Sequence, residues 1–519
     1  MSRFGFTNFG TYQSQSVNAD AQRCLNLYPE VDESQLGKSA MMLYPTPGLQ
    51  QFCNLPGMVT VRAEISVPQA NRMFAIAEDL ENQWFWEVLP NGTAVKRGQV
   101  SPQAVGQLGL KGIVPTFAYN NAAQTQLMMT SAGRLFLFNL TSNLLQEIDT
   151  TTGAALQGSV IQIGFTDSYF IALLANSQKF QISASLNGTL WDPSFIAQIE
   201  DYQDNVVSMI VDHREPWFLG QEHSEVYYDS GNPLFPFLPI PGSFIEQGCA
   251  ATFAVSQLDN SIFWIWKDKR GQGVGCRAVG YAPTRITTHA VELAWKSYPK
   301  ISDAESYSYQ EDGHSFWVIY FPSANGGAGA TWVYDIATQL WHERAYGVGP
   351  FTAHRSRCYC YAFGQGLVGD WASGNIYSMS INYLTDFGNP IARLRRAPHV
   401  SSEQVWLHHQ QLQVDMETGL GPQPPLLDGQ GNPRGPQVYL RWSDDGGHNW
   451  SNSYARDAGQ AGDFTKRVIW RRLGRSRDRV YEFLCTDPIP VRIIDSYLIA
   501  TPGFQKGAER ISRQILKIT

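Results

Sequence analysis

A short pattern recurs along most of this chain: a Gly, Asn or Asp turn feeding a brief aromatic strand. QWFWEVL, RLFLF, KFQIS, SEVYY, VGCRAV, ATWVYD and NIYSM are successive instances. With Trp84, Arg134, Phe180, Val226, Arg277, Thr331 and Ile376 as markers, the gaps are 50, 46, 46, 51, 54 and 45 residues. A repeat of this length, with four strands per unit, is the signature of a β-propeller blade. Sandwich modules, at roughly 100 residues each, run at twice the period.

Side-chain patterning agrees. In Ser261–Trp266, Ile262, Trp264 and Trp266 face one way and Phe263 and Ile265 the other, so both faces are apolar. Such a strand must be covered on both sides, as a blade is by its neighbours. Val333–Asp335 and Leu340–Trp341 form an outer hairpin whose turn Asp335 can hold through its carboxylate. The expected fold is all-β: a propeller over residues 58–390, with seven blades favoured and six possible, then an antiparallel sandwich-like domain over 391–519. Residues 1–57 read as an extended segment packed on the other domains, and RLRRAPHV (393–400) as a basic linker. At 519 residues more than one core is expected, since single cores stop growing at roughly 250–300 residues.

Charge is unevenly spread. Residues 1–390 carry 21 Lys and Arg against 33 Asp and Glu, and residues 391–519 carry 18 against 13, so an acidic body (−12) adjoins a basic end (+5). The N-terminus lacks the pattern of a secretion signal, and no window reaches the ~20 apolar residues of a membrane span. Seven scattered cysteines with no C-x-x-C pair read as buried thiols, and Cys358 and Cys360 share one face of a strand.

Two motifs stand out in the last domain. Ser443, Asp445, Gly447 and Trp450 fit S-x-D-x-G-x-x-W, the Asp box: the carboxylate organises a hairpin turn, Gly447 permits positive φ and Trp450 tucks beneath. Sialidases carry such boxes on their propellers, but the box is structural there too, and here it is single and outside the propeller. The second motif is RVIWRRLGRSRDRVYEFL, read as an arginine hairpin. Arg467, Arg471, Arg472, Arg475, Arg477 and Arg479 surround Leu473-Gly474, with Asp478 as the local acid. A solvated turn with weak ion pairs is the plain reading. The near-exclusive use of Arg favours an interface with an acidic protein surface, and after that a DNA phosphate backbone. His408, His409 and His448 read as surface or interface residues, since neighbours on a strand point to opposite faces. GQGVG (271–275) is a hairpin turn, because it lacks the strand–loop–helix context of a phosphate loop. No catalytic residue, cofactor or metal site is expected.

Several segments, in order along the chain, carry a resemblance: AQRCLNLYPE (21–30) with PTPGL (45–49), FLGQEHSEVYYDSGNPLFPF (218–237), FWIWKDKRGQGVGCRAVGYAPTRITTHAVE (263–292), and the Asp box with RVIWRRLGRSRDRVYEF (467–483). Taken together they resemble the packaged-DNA stabilisation proteins of short-tailed bacteriophages, the tail hub or nozzle family. The resemblance implies a structural virion protein assembled in the bacterial host cytoplasm. It would form a ring with itself, expected as a hexamer, below the portal and a head-to-tail adaptor ring. That ring would extend and close the DNA channel, carry tail fibres or spikes and a tail needle, and meet double-stranded DNA without sequence preference. The alternatives are a sialidase-like glycoside hydrolase, which needs acids and arginines converging in the propeller pit, and a host-glycan-binding tail protein, which needs exposed aromatics.

Overall fold

The computed structural model describes residues 2–6, 10–34, 36–101, 113–149, 155–199 and 204–503. Seven four-stranded antiparallel units follow one another from Gly48 to Tyr346 and Ser380, and five of them stand as separate sheets. The first strands of successive units touch one another in a ring, with Ser356–Ala362 of the seventh against Thr60–Val67 of the first. This is a seven-bladed propeller. All seven sequence markers fall on third strands: Gln83–Val88, Arg134–Asn139, Lys179–Ala184, Ser224–Asp229, Gly273–Val279, Ala330–Asp335 and Asn375–Ser380.

The two-faced strand behaves as its composition requires. Ile262 and Trp264 pack with Trp217, Leu219 and Val226 of the fourth blade, while Phe263 and Ile265 pack with Trp317, Ile319 and Phe321 of the sixth. Each such side chain, buried from water, contributes about 1.5–3 kcal/mol. The blades are also laced by polar groups near the starts of their first strands. Gln162 Nε2 donates to Ser208 Oγ at 3.2 Å, Ser208 Oγ donates to the Thr252 carbonyl at 2.7 Å, and the Ser256 and Ser306 hydroxyls lie 2.8 Å apart. β-Bulges recur at this level in four first strands, at 61–63, 160–162, 206–208 and 356–358. A bulge sharpens the local twist and re-aims side chains, here toward the inter-blade seam.

Residues 1–57 do more than pack on the domains. Gly48–Asn54 pairs antiparallel with Asn375–Ser380 as the fourth strand of the seventh blade, so the last blade is completed by the N-terminal segment. Gly48 is required there, because a Cβ would meet the Tyr383 carbonyl oxygen at 2.4 Å. Leu27–Val31 and Met41–Pro45 pair with each other, and Leu43 pairs with Ile493, which adds them to one sandwich sheet. Ala21–Leu25 pairs with Arg393–Arg396 and, at Leu25, with Glu343. One sandwich sheet and the sixth blade are therefore a continuous sheet.

The sandwich buries Leu412, Val414, Val468, Trp470 and Leu498 of one sheet against Val438, Leu440, Tyr481 and Phe483 of the other, with Phe4 and Phe6 inserted. The stretch 393–400 is not a linker. Arg393–Arg396 is an internal strand between Ala21–Leu25 and Asp478–Cys485. Arg395 is fully buried and donates to the Phe6 and Gly10 carbonyls and to Gln22 Oε1. These acceptors come from the distant N-terminal segment, so a run that looks solvated in sequence becomes core. Residues 504–519 of the last expected domain lie outside the described residues. No helix of the described residues is long and apolar enough to cross a membrane.

Candidate functional site

The arginine-rich stretch is built on a sheet edge, not on a hairpin. Val468–Arg471 pairs with Gln411–Val414 as the outermost strand of its sheet, whereas Asp478–Cys485 belongs to the opposite sheet. Val468 and Trp470 on the first, and Tyr481 and Phe483 on the second, must all reach the core between the sheets. An arch across the sandwich permits this, while a flat hairpin would leave one set in water. The edge strand is interrupted where Arg472 (φ 59°) and Gly474 (φ 78°) adopt left-handed conformations and Leu473 plugs into the core. Pairing then resumes at Arg475–Ser476 against Leu407 and His408.

This geometry sorts the six arginines. Arg467, Arg471, Arg472, Arg475 and Arg477 are exposed. Arg479 is not: it is 1% exposed, donates to both Asp444 oxygens at 2.6 and 2.9 Å and to the Leu473 carbonyl, and lies over the Trp442 and Tyr481 rings. It ties the arch together and is removed from the candidate interface. Among the described residues, none of the five exposed arginines has a carboxylate partner, although their neighbours Arg396 and Arg441 share Glu482 and Arg434 pairs with Asp487. Arg467 and Arg471 donate to the amide oxygens of Gln413 and Gln411. Arg475 and Arg477 lie 4.9 and 5.1 Å from the ring centre of Trp406, which is 37% exposed. Charged side chains on an edge strand keep it from pairing with other edges, and that alone would explain lysines or glutamates here. A half-exposed Trp flanked by two uncompensated guanidinium groups is instead the composition of an interface centre. The sequence reading missed Trp406, which lies 69 residues from Arg475 and is joined to it only by the strand pairing.

The Asp box forms the connection between Gln437–Ser443 and Tyr454–Asp457. Asp445 accepts from the Asn449 backbone N–H at 2.8 Å, the Ser443 hydroxyl at 2.6 Å and the Asn449 amide at 2.6 Å, and these bonds hold its carboxyl far below the usual range. Gly447 has φ 103°, and Trp450 donates to its carbonyl at 3.1 Å. At neighbouring Gly446, a Cβ would strike Asn18 Oδ1 at 1.9 Å, so the turn seats the N-terminal segment. The box is a structural latch. His409, read as a surface or interface residue, is buried between Ser476 and Tyr481, and burial pushes its pKa down to about 3. His408 is exposed.

Polar groups do converge at the meeting of the sixth, seventh and first blades. Arg357 donates to both Glu305 oxygens, with its Nε at 2.5 Å, and to Thr60 Oγ1 at 3.3 Å, and Arg62 lies 3.7 Å from Glu78. Arg357 and Glu305 are both buried and committed to each other, so the cluster clasps the ring where it closes. Nearby, Glu64 is driven well above its usual pKa by burial. No group of three or more His, Cys, Asp or Glu among the described residues could hold a metal ion. The seven cysteines are free, and burial raises the pKa values of Cys249, Cys276, Cys358, Cys360 and others, which suppresses their nucleophilicity.

Comparison with known proteins matches both halves of the chain. The family described as bacteriophage P22 Gp10, β-propeller, matches residues 8–383, and that described as bacteriophage P22 Gp10, β-sandwich, matches residues 392–498. No curated protein matches. Among solved structures, the chain is similar to YCF48 bound to D1 peptide, at 12% identity over 64% of this chain and 95% of that one, with a TM-score of 0.40. It is also similar to an exo-β-1,3-galactanase from Phanerochaete chrysosporium with galactose, at 8% identity over 87% and 95%, with a TM-score of 0.26.

Proposed function

The chain belongs to the bacteriophage P22 Gp10 family, a family of phage structural tail proteins, and on that premise we propose that it is the tail hub or nozzle. Copies of it form a closed ring, six in number, below the portal and its adaptor. The ring prolongs the DNA channel, retains the packaged genome and anchors the fibres or spikes and the needle. The observation that carries this reading is the pairing of a rigid wall with a sticky edge. The propeller is joined to the sandwich through shared strands, and the sandwich presents five exposed arginines that have no carboxylate partner among the described residues. A ring of identical subunits needs one surface to meet a different surface of the next copy, with a rotation that closes. The acidic body suits a passage through which DNA slides, because like charge keeps phosphate from sticking.

The test is the mass of the purified protein, alone and mixed with the adaptor ring, at low and high salt. A multi-copy ring that incorporates with the adaptor supports the proposal. A protein that stays monomeric and ignores the adaptor under all four conditions overturns it.

A further inference from the structure

The arginine edge has a counterpart elsewhere on the same chain. From Glu215 to Trp266 the sequence carries Glu215, Glu222, Glu225, Asp229, Glu246 and Asp259 but no Lys or Arg. This stretch makes the outer part of the fourth blade and the start of the fifth. Its rim strand Phe237–Pro239 pairs with Tyr227–Asp229, which sets Leu238 opposite Tyr228 on the face that Val226 turns toward the fifth blade. Tyr228 is 39%, Leu238 41% and Leu234 83% exposed. An apolar ridge of this kind, rimmed by polar residues, marks an interaction surface on a soluble fold. Asp229 adjoins it, Glu222 and Glu246 are exposed at the other end of the same strand near the Ser224–Ile245 bridge, and no cation pairs with any of the three among the described residues.

The two surfaces sit at opposite ends of the molecule. The sandwich joins the propeller at the sixth and seventh blades, through Ala21–Leu25 and Gly48–Asn54. In a ring of seven, the third and fourth blades lie across from that junction. Within the sandwich, Leu27–Val31 is the strand nearest the propeller and Val468–Arg471 is the opposite edge of the same sheet. One pole is therefore basic with a half-exposed Trp, and the other is acidic with an exposed aliphatic and aromatic ridge.

We propose that these poles bind each other between copies: the Arg471–Arg477 edge with Trp406 docks along Ser224–Asp229 of the next subunit's fourth blade, from the Tyr228–Leu238 ridge with Asp229 at one end to Glu222 and Glu246 at the other. This rests on the ring reading and names the contact that makes it. The contact is heterologous, the class that closes into rings. Its parts match the anatomy of a specific interface, with aromatic and Arg anchors meeting an apolar ridge and acidic groups. Complementary charge would set the register and speed encounter more than it would add affinity.

The experiment is charge reversal read by analytical ultracentrifugation of the full chain, with adaptor present if the wild-type ring needs it. Arg471→Glu, Arg475→Glu and Arg477→Glu together, or Glu222→Lys, Asp229→Lys and Glu246→Lys together, should each raise the concentration for half-assembly by about 100-fold or more. All six changes in one chain should restore assembly, since each contact is then opposite in sign but complementary. Trp406→Ala in the native background should weaken the ring without altering its salt dependence. Thermal midpoints within a few degrees of wild type would confirm that the variants fold. Rings that persist in both triple variants overturn the proposal. Rings that persist while the arginine variant alone loses adaptor, or loses retention of a short DNA duplex, also overturn it, and assign the edge to that partner instead. A wild-type chain that never assembles, with or without adaptor, defeats the ring reading itself, which the variants do not bear on.

Discussion

His314 offers a quantitative test of how the N-terminal segment is held. Its ring lies 5% exposed on the second strand of the sixth blade, with Nδ1 2.9 Å from Asp335 Oδ2 and Nε2 2.7 Å from Glu30 Oε2. Burial works against the charged form, but the hydrogen bonds and charges of Asp335 and Glu30 outweigh it and push the pKa up to about 9. Because the folded value lies above the unfolded value of about 6.5, the clamp is at full strength below pH 6.5 and is lost as pH rises through 9. A shift of that size corresponds to about 3 kcal/mol, and between pH 7 and 10 about 2.5 kcal/mol of it disappears. Glu30 is 26% exposed, so solvent screening lowers this toward 2 kcal/mol. The loss should be local to Leu27–Val31, the strand that carries Glu30. Hydrogen exchange, corrected for the intrinsic rate, should show protection in that strand falling on the order of 30-fold between pH 7 and 10. The His314→Gln variant should start low and stay flat across the same range. Equal protection of Leu27–Val31 in wild type and variant at pH 7, or a parallel decline in both, would refute the reasoning.

Three further outcomes are expected. Arg479→Ala should cost about 3 kcal/mol in chemical denaturation, because it unpairs the Leu473 carbonyl and strips packing from Trp442 and Tyr481, whereas Arg471→Ala should stay within about 0.5 kcal/mol; equal effects would return Arg479 to the surface set. Asn26→Leu should remove bonds to the Ala345 and Ala392 carbonyls and from the Ala345 N–H, and place a branched residue at φ 53°. That change should cost about 3 kcal/mol or more and split calorimetric unfolding into separate sandwich and propeller transitions; a single unshifted transition would contradict it. Asp386 is raised to about 7 by burial, partly offset by Arg393, Arg344 and Arg355, so stability declines as pH rises from about 4 to 7. Asp386→Asn should therefore gain on wild type by at most about 4 kcal/mol at pH 8 and by nothing at pH 4, read as the difference in thermal midpoint.

The propeller was legible because its signal is local. Each third strand carries its own aromatic run and turn, and Asp335 does hold its turn, accepting from the Ala337 N–H at 3.1 Å and the Thr338 hydroxyl at 2.7 Å. The Asp box was legible for the same reason, since all its bonds span four residues or fewer. What escaped depends on partners hundreds of residues away. Gly48–Asn54 has only a weak strand pattern and becomes a blade strand because Asn375–Ser380 offers an open edge. Arg-Leu-Arg-Arg reads as solvated because the carbonyls that satisfy Arg395 belong to Phe6 and Gly10. The supposed hairpin failed because local spacing cannot tell a turn within one sheet from an arch between two. Of the site, the five exposed arginines could be read in advance. Trp406 could not, since its place beside Arg475 follows from the register of Leu407 on Ser476.

The N-terminal segment changes what the two domains can do together. Domains joined by a linker and a modest polar interface are expected to move relative to each other. Here Leu25 pairs with Glu343 of the sixth blade on one side and Leu394 of the sandwich on the other, and the next residue, Asn26, bonds both across the same seam. Rotating the sandwich against the propeller would break backbone pairing and leave those buried groups unsatisfied, a cost of 1–3 kcal/mol for each. The basic pole and the acidic pole are thus held at a fixed distance and angle. In the proposed ring that fixed geometry, more than the strength of any one contact, would decide whether successive copies close or spiral into a filament, because an error in angle at each subunit accumulates around the circle.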